Sequence, residues 1–333
     1  MKSLWKLVLG LAAVGAFLSF ATPAGAQDEP YQHVPLPSQL PKGVSVEDAK
    51  KLQGLIDDYK RQEPLMVTKL KDNIYMAKGG RGGNDGNVGF VVGKTGVIIV
   101  DTKNSAASEK DVIDEIAKIT PLPVDTAFID HSDNESGITA FPAGKLTIIA
   151  QENTKPEMQE SKARNAVPPE YYPTKTIAKD ETMMIDGVKV RALHWAPAHT
   201  SGDLVVYFPA QKVVFCEDLI VTDFPLAGTQ IHPNLHGSVA GWIETVKGML
   251  ALNADTYVSG HGDLFTKNDV KTKLAFIQDH WDRVKSMAAQ GKSLDDIKTA
   301  LGESTEPPKP NAQGNLPPMT MTEIIYNEIT NKD

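Results

Sequence analysis

The chain has 333 residues, with 34 lysines and arginines against 42 aspartates and glutamates, for a formal net charge of −8. That balance excludes a nucleic-acid binder held by phosphate charge. A single cysteine, Cys216, excludes an intramolecular disulfide, so an apolar core must hold the fold. The first 26 residues read as a secretory signal. Lys2 and Lys6 precede or flank a short apolar run from Leu7 to Phe20, and Ala24-Gly25-Ala26 offers a small-x-small cleavage site before Gln27. The run is too short for a spanning helix, so the expectation is a bacterial Sec-type signal, a periplasmic or secreted protein and no stable membrane anchor after cleavage. Residues 27–65 form an N-terminal arm rich in proline, then a polar helix starting at the capping-box sequence Ser45-Val46-Glu47-Asp48 and running to about Arg61.

From Met66 the texture changes to that of a folded domain, expected to extend to residue 290. Val67 to Met76 predicts one strand. Arg81 to Gly86 predicts a turn or a flap over a site. Asn87–Val92 and Gly96–Asp101 predict two β-branched strands joined by a turn at Gly93-Lys94. Ser108–Ile119 has helical periodicity, Val124–Ile129 and Leu146–Ala150 are strands, and 151–178 reads as helix then loop. Strands follow at Thr182–Ile185, Val188–His194, Leu204–Phe208, Val213–Phe215 and Thr256–Ser259, with a helix over Ser238–Leu252. Helices are expected at 267–290 and 293–301, the second capped by Ser293 and Asp296. Residues 291–333 make a helical, proline-rich extension that ends in a helix over Met321–Thr330.

Candidate metal ligands cluster at strand ends, where loops present side chains from a rigid sheet. His131 and Asp133 follow the strand that ends in Ile129-Asp130. His199, Asp218 and His261 each end or follow a later strand. Imidazole and carboxylate together suit zinc or iron. No pair is specific; the set of five, in this order, is. The pattern implies an α/β architecture in which two sheet halves bring four loops together.

Over roughly residues 67–290 the chain resembles the metallo-β-lactamase-fold metallo-hydrolases. Val100-Asp101-Thr102, Phe128–Phe141, Ala198-His199-Thr200-Ser201-Gly202-Asp203, Glu217-Asp218-Leu219 and Gly260-His261-Gly262 carry the resemblance. It implies a four-layer αββα sandwich and hydrolysis by metal-activated water. The family's H-x-H-x-D-H motif is degenerate here: Ile129 stands at its first histidine and Asn134 at its third. By position, the family's first metal site keeps His131 and His199. The second keeps Asp133, with Asp218 and His261, and is the site expected to hold an ion. Zinc is expected, one ion rather than two, with iron or no metal as alternatives. His131 or His199 then acts as general base on water, and Asn134 donates a hydrogen bond to a carbonyl or oxyanion.

The expected activity is cleavage of a small ester, lactone, amide or thioester. The alternative is a non-catalytic protein that keeps the pocket to bind a ligand, with His131 and His199 satisfied by hydrogen bonds. Asp101 is read as an orienter of the ligand loop. His194 is read as a strand side chain, and Cys216 as a buried thiol, with a soft metal ligand as the alternative. His232 and His236 lie on a loop able to reach the mouth of the site and to replace a missing ligand. His33 and His280 are read as surface residues.

Overall fold

A computed structural model describes residues 42–48, 51, 64–80, 86–133, 135–161, 166–221, 231–310 and 316–330. The signal segment, His33, Asn134 and residues 81–85 of the glycine-rich loop lie outside the described residues, as does most of the helix expected after Ser45. The start of that helix is described: 46–48 are helical, and Ser45 Oγ accepts a hydrogen bond from Asp48 N at 3.1 Å. Among the described residues, no helix is long and apolar enough to cross a membrane.

Among the described residues, thirteen strands form two sheets. The first holds β1 (Met66–Lys71), β2 (Ile74–Lys78), β3 (Val88–Val92), β4 (Val97–Val100), β5 (Val124–Phe128), β6 (Thr147–Gln151) and β7 (Lys175–Ile177), paired in that order. β1 to β4 are antiparallel, and β4 to β7 are parallel. The second runs β13 (Phe265–Thr266), β12 (Thr256–Ser259), β11 (Val213–Glu217), β10 (Val205–Phe208), β9 (Val188–Leu193) and β8 (Asp180–Ile185). Only its β11–β12 pair is parallel.

Helices α1 (Ala106–Ile119) and α2 (Thr154–Glu160) cover the first sheet. α3 (Val239–Ala251), α4 (Lys267–Ala289), α5 (Leu294–Leu301) and α6 (Met321–Thr330) cover the second. Phe128, Ile98 and Met76 of one sheet meet Phe215, Phe208 and Val206 of the other in a dry middle layer. The result is the αββα sandwich that the resemblance implied. The capping boxes of α4 (Thr266 with Asp269) and α5 (Ser293 with Asp296) are both formed. Ile297, Leu301, Ile324 and Ile325 sit in the same core as Trp242 and Val246, so the C-terminal extension belongs to the second helical layer.

Three departures from the sequence expectation have local causes. Asp72-Asn73 breaks the expected first strand into the β1–β2 hairpin, because a polar turn pair gives the chain a reversal. β7 extends the parallel edge inside a stretch expected to be helix then loop; three residues give too short a run to show alternation. His280, expected at the surface, is 2% exposed, and its Nε2 lies 2.8 Å from Thr322 Oγ1 of α6.

Candidate metal centre

The sheet edges place the ligand loops. β4 and β5 are parallel, so both end at the same edge. Asp101 follows β4 in a left-handed conformation (φ 61°); its backbone N–H donates to Phe128 O at 2.8 Å and its Oδ1 accepts from Thr102 N at 2.6 Å. The main-chain bond ties the β4 end to the β5 end. In the second sheet β11 ends at Glu217, whose backbone is turned to φ 34° and ψ −130° just before Asp218. Such a conformation costs of order 1–3 kcal/mol and persists only where the surroundings enforce it. Gly260 forms part of that enforcement: a Cβ there would lie 2.0 Å from Asp218 Oδ1.

The ligand loops are braced by neighbours. Asp203 accepts from Ala198 N, Thr200 N and Thr200 Oγ1, closing the His199 loop on itself. Asn87 donates to Ser259 O and Gly262 O on either side of His261. Trp242 Nε1 donates to Leu219 O at 2.7 Å, which fixes the turn after Asp218.

These loops bring His131, Asp133, His199, Asp218 and His261 into one cluster. His131 Nε2 is 3.4 Å from Asp133 Oδ1 and 3.9 Å from Asp218 Oδ2. His199 Nε2 makes almost the same approaches, 3.5 and 3.8 Å. His261 Nε2 stands 3.3 Å from Asp218 Oδ1. Among the described residues, the donor atoms of His131, Asp133 and His199 all lie within 4.8 Å of one another, and so do those of Asp101, Asp130, His131 and Glu135 beneath them. Asp218 joins this group to His261, so the set expected from the sequence (Asp133, Asp218, His261) and the two buried imidazoles share one cluster.

The electrostatics follow from burial against pairing. Burial opposes charge on His131, but the Asp130 carboxylate outweighs it and holds the imidazole well above its ordinary pKa. His199 is likewise opposed by burial and raised to about 9, first by its hydrogen bond to Asp133. Burial disfavours the Asp133 carboxylate, yet hydrogen bonds from His199 and His232 hold its pKa well below the usual range. Asp218 is lowered against its burial by His261. Beneath the cluster lie more buried acids. Burial pushes Asp101 to about 8 and raises Glu135 and Glu217 strongly.

The donors fit a divalent ion. His131 Nε2 is buried without a hydrogen-bond partner, and it faces Asp133 Oδ1 at 3.4 Å. An unpaired buried polar atom is costly, and a cation coordinated by this nitrogen and the facing carboxylate removes that cost. Asp130 completes the arrangement. Its Oδ1 lies 2.6 Å from His131 Nδ1, the contact that leaves Nε2 as the lone-pair donor. In the sequence the signal for Asp130 is only a carboxylate beside a candidate ligand, which carries no role until the contact with His131 is seen.

Other candidates lie elsewhere. Ile129 is fully buried in the layer between the first sheet and its helices, beside Ala127 and Ile138. Cys216 packs on the helical side of the second sheet, and its thiol donates to Val258 O at 3.1 Å; it is the buried thiol expected. His194 Nδ1 meets Asp203 O at 2.8 Å. His232, read as able to reach the mouth, approaches Asp133 Oδ2 at 3.3 Å through Nδ1.

Comparison with known proteins agrees with this architecture. The family model of the metallo-beta-lactamase superfamily matches residues 141–261, beginning just after the degenerate motif. Among solved structures, a metallo-beta-lactamase from Pontibacter korlensis superposes with a TM-score of 0.56 at 20% identity, covering 65% of this chain and all of that one. DIM-1 metallo-beta-lactamase superposes at 0.54 and 20% identity, covering 65% of this chain and 99% of that one. Among curated proteins, the 2,4-dinitroanisole O-demethylase subunit alpha of Nocardioides sp. (strain JS1661) is 28% identical over 175 residues, 51% of each chain. The chain thus spans about half the length of that relative. The chain has the metallo-β-lactamase fold, and its residues 141–261 match the model of the metallo-beta-lactamase superfamily.

Proposed function

We propose that the protein is an exported, metal-dependent hydrolase that opens a small ester, lactone, amide or thioester. The observation that carries this reading is the quartet in which the Nε2 atoms of the buried His131 and His199 both face Asp133 Oδ1 and Asp218 Oδ2 across 3.4–3.9 Å. A divalent ion such as zinc, bound there, supplies Lewis-acid polarisation of the substrate and lowers the pKa of water. Asp130 keeps the His131 proton on Nδ1. Asp133 is the more exposed of the two central carboxylates, 27% against 15% for the Asp218 side chain. Its low pKa suits it to orient a water by accepting a hydrogen bond rather than to store that water's proton.

The name of the Nocardioides relative adds an aryl methyl ether to the substrates worth testing. Placement of Ile129 in the core favours a second reading, a pocket that binds without turnover. Metal content of the purified mature protein separates the two. Stoichiometric metal, lost in Asp218→Ala and His261→Ala, supports the hydrolase. A substoichiometric content that neither substitution changes removes it. Screening metal-loaded protein on esters, lactones, thioesters and aryl methyl ethers then names the class. Export is tested by N-terminal sequencing of the protein from a periplasmic fraction, with Gln27 as the expected first residue.

A further inference from the structure

The first position of the degenerate motif carries a core isoleucine, and a histidine far along the chain faces the Asp133 carboxylate. His232 Nδ1 is 3.3 Å from Asp133 Oδ2, while Oδ1 of that carboxylate faces His131 and His199 at 3.4 and 3.5 Å. Its ring stacks obliquely on His199, with centroids 4.4 Å apart. Asp133 is thus a fork with two imidazoles on one prong and a third on the other.

The backbone builds this placement. His232 N donates to His199 O at 2.8 Å, Ser201 N to Leu235 O at 2.8 Å, and Ser238 N to Ala198 O at 2.8 Å. Gly237 N closes the loop on His232 O at 2.9 Å. The two loops are zipped along their main chains, and Gly237 permits it: a Cβ there would lie 2.2 Å from His199 O. A turn over Pro233–Leu235 then fixes how the chain leaves His232. Three imidazoles and a carboxylate are the donor types of a zinc shell, with His131 and His199 already buried in place.

We propose that His232 is a metal ligand through Nδ1, replacing the imidazole that the motif lost at Ile129. The proposal rests on the metal-centre reading above. It is tested by titrating metal-free protein with Zn(II) by calorimetry and with Co(II) by visible absorption. His232→Gln and His232→Ala are expected to weaken binding roughly tenfold or more and to change the Co(II) ligand-field bands. His236→Gln, on the same loop, leaves both unchanged. X-ray absorption of the zinc-loaded unmodified protein is expected to count three imidazoles per ion, which holds even if a variant misfolds. Wild-type affinity and spectra in both His232 variants, or a count of two, overturn the His232 assignment alone. Wild-type protein that binds neither metal overturns the metal centre itself, and this ligand with it.

Discussion

Asp130 and His131 are sequence neighbours whose side chains close on each other, Oδ1 to Nδ1, at 2.6 Å, with both groups almost fully buried. An imidazole held this way has its tautomer and ring plane set before any ion arrives. Asp130→Asn keeps the shape and removes the charge. The expected result is a 10- to 100-fold loss of zinc affinity, roughly what such outer partners contribute, with the far-UV circular dichroism unchanged. Unchanged affinity would make Asp130 a structural acid only.

Restoring the family's first histidine is expected to fail. Ile129 is 0% exposed, and its N–H is engaged with Ile149 O in the first sheet. Ile129→His puts an imidazole among Ala127, Ile138 and other apolar side chains, with no partner for its nitrogens. The cost is about 2–4 kcal/mol of stability, read by urea unfolding, with no gain in metal content. A gain in metal would mean that the β5 end can turn its side chains over.

Gly260 tests the second sheet's contribution without touching a ligand. Gly260→Ala brings a methyl group to 2.0 Å from Asp218 Oδ1 and 2.8 Å from the Glu217 carbonyl carbon. Backbone must move, so Asp218 moves with it. The variant is expected to lose about 1–3 kcal/mol of stability and to bind metal more weakly, as measured by thermal unfolding and calorimetry.

A pH effect arises far from the centre, at His280. Burial, with Arg283 adding to it, lowers its pKa to about 3 in the folded protein, against about 6.5 when unfolded. Between those values the unfolded chain holds the extra proton. Stability is therefore full above about pH 6.5 and falls as pH drops towards 3, by up to about 1.4 kcal/mol per pH unit. Glu303, raised by burial, works in the opposite direction and softens the slope. His280→Gln keeps a polar contact for Thr322 and is expected to flatten the profile of stability between pH 6.5 and 4. Parallel profiles would show that Glu303 and its neighbours already cancel the histidine.

Much of this molecule is legible in its sequence, for identifiable reasons. The β-branched runs Val97–Val100 and Val213–Phe215 announce buried strands, and capping boxes announce α4 and α5. His131, Asp133, His199, Asp218 and His261 announce themselves because each sits at a strand end. What was hidden depends on contacts distant in sequence. His280 looks exposed until Thr322, 42 residues later, covers it. His232 is a loop histidine until main-chain hydrogen bonds lay it against His199. The direction of the His131 ring turns on its contact with Asp130, which spacing alone does not encode.

The zipper between the His199 loop and the His232 loop is made of main-chain groups. Its geometry therefore owes little to which side chain position 232 carries. A lineage could exchange that residue many times, trying donor after donor beside a fixed carboxylate, without unmaking the scaffold. Position 232 is in that sense a dial: a place where the chemistry of the site can be rewritten while the architecture stays silent.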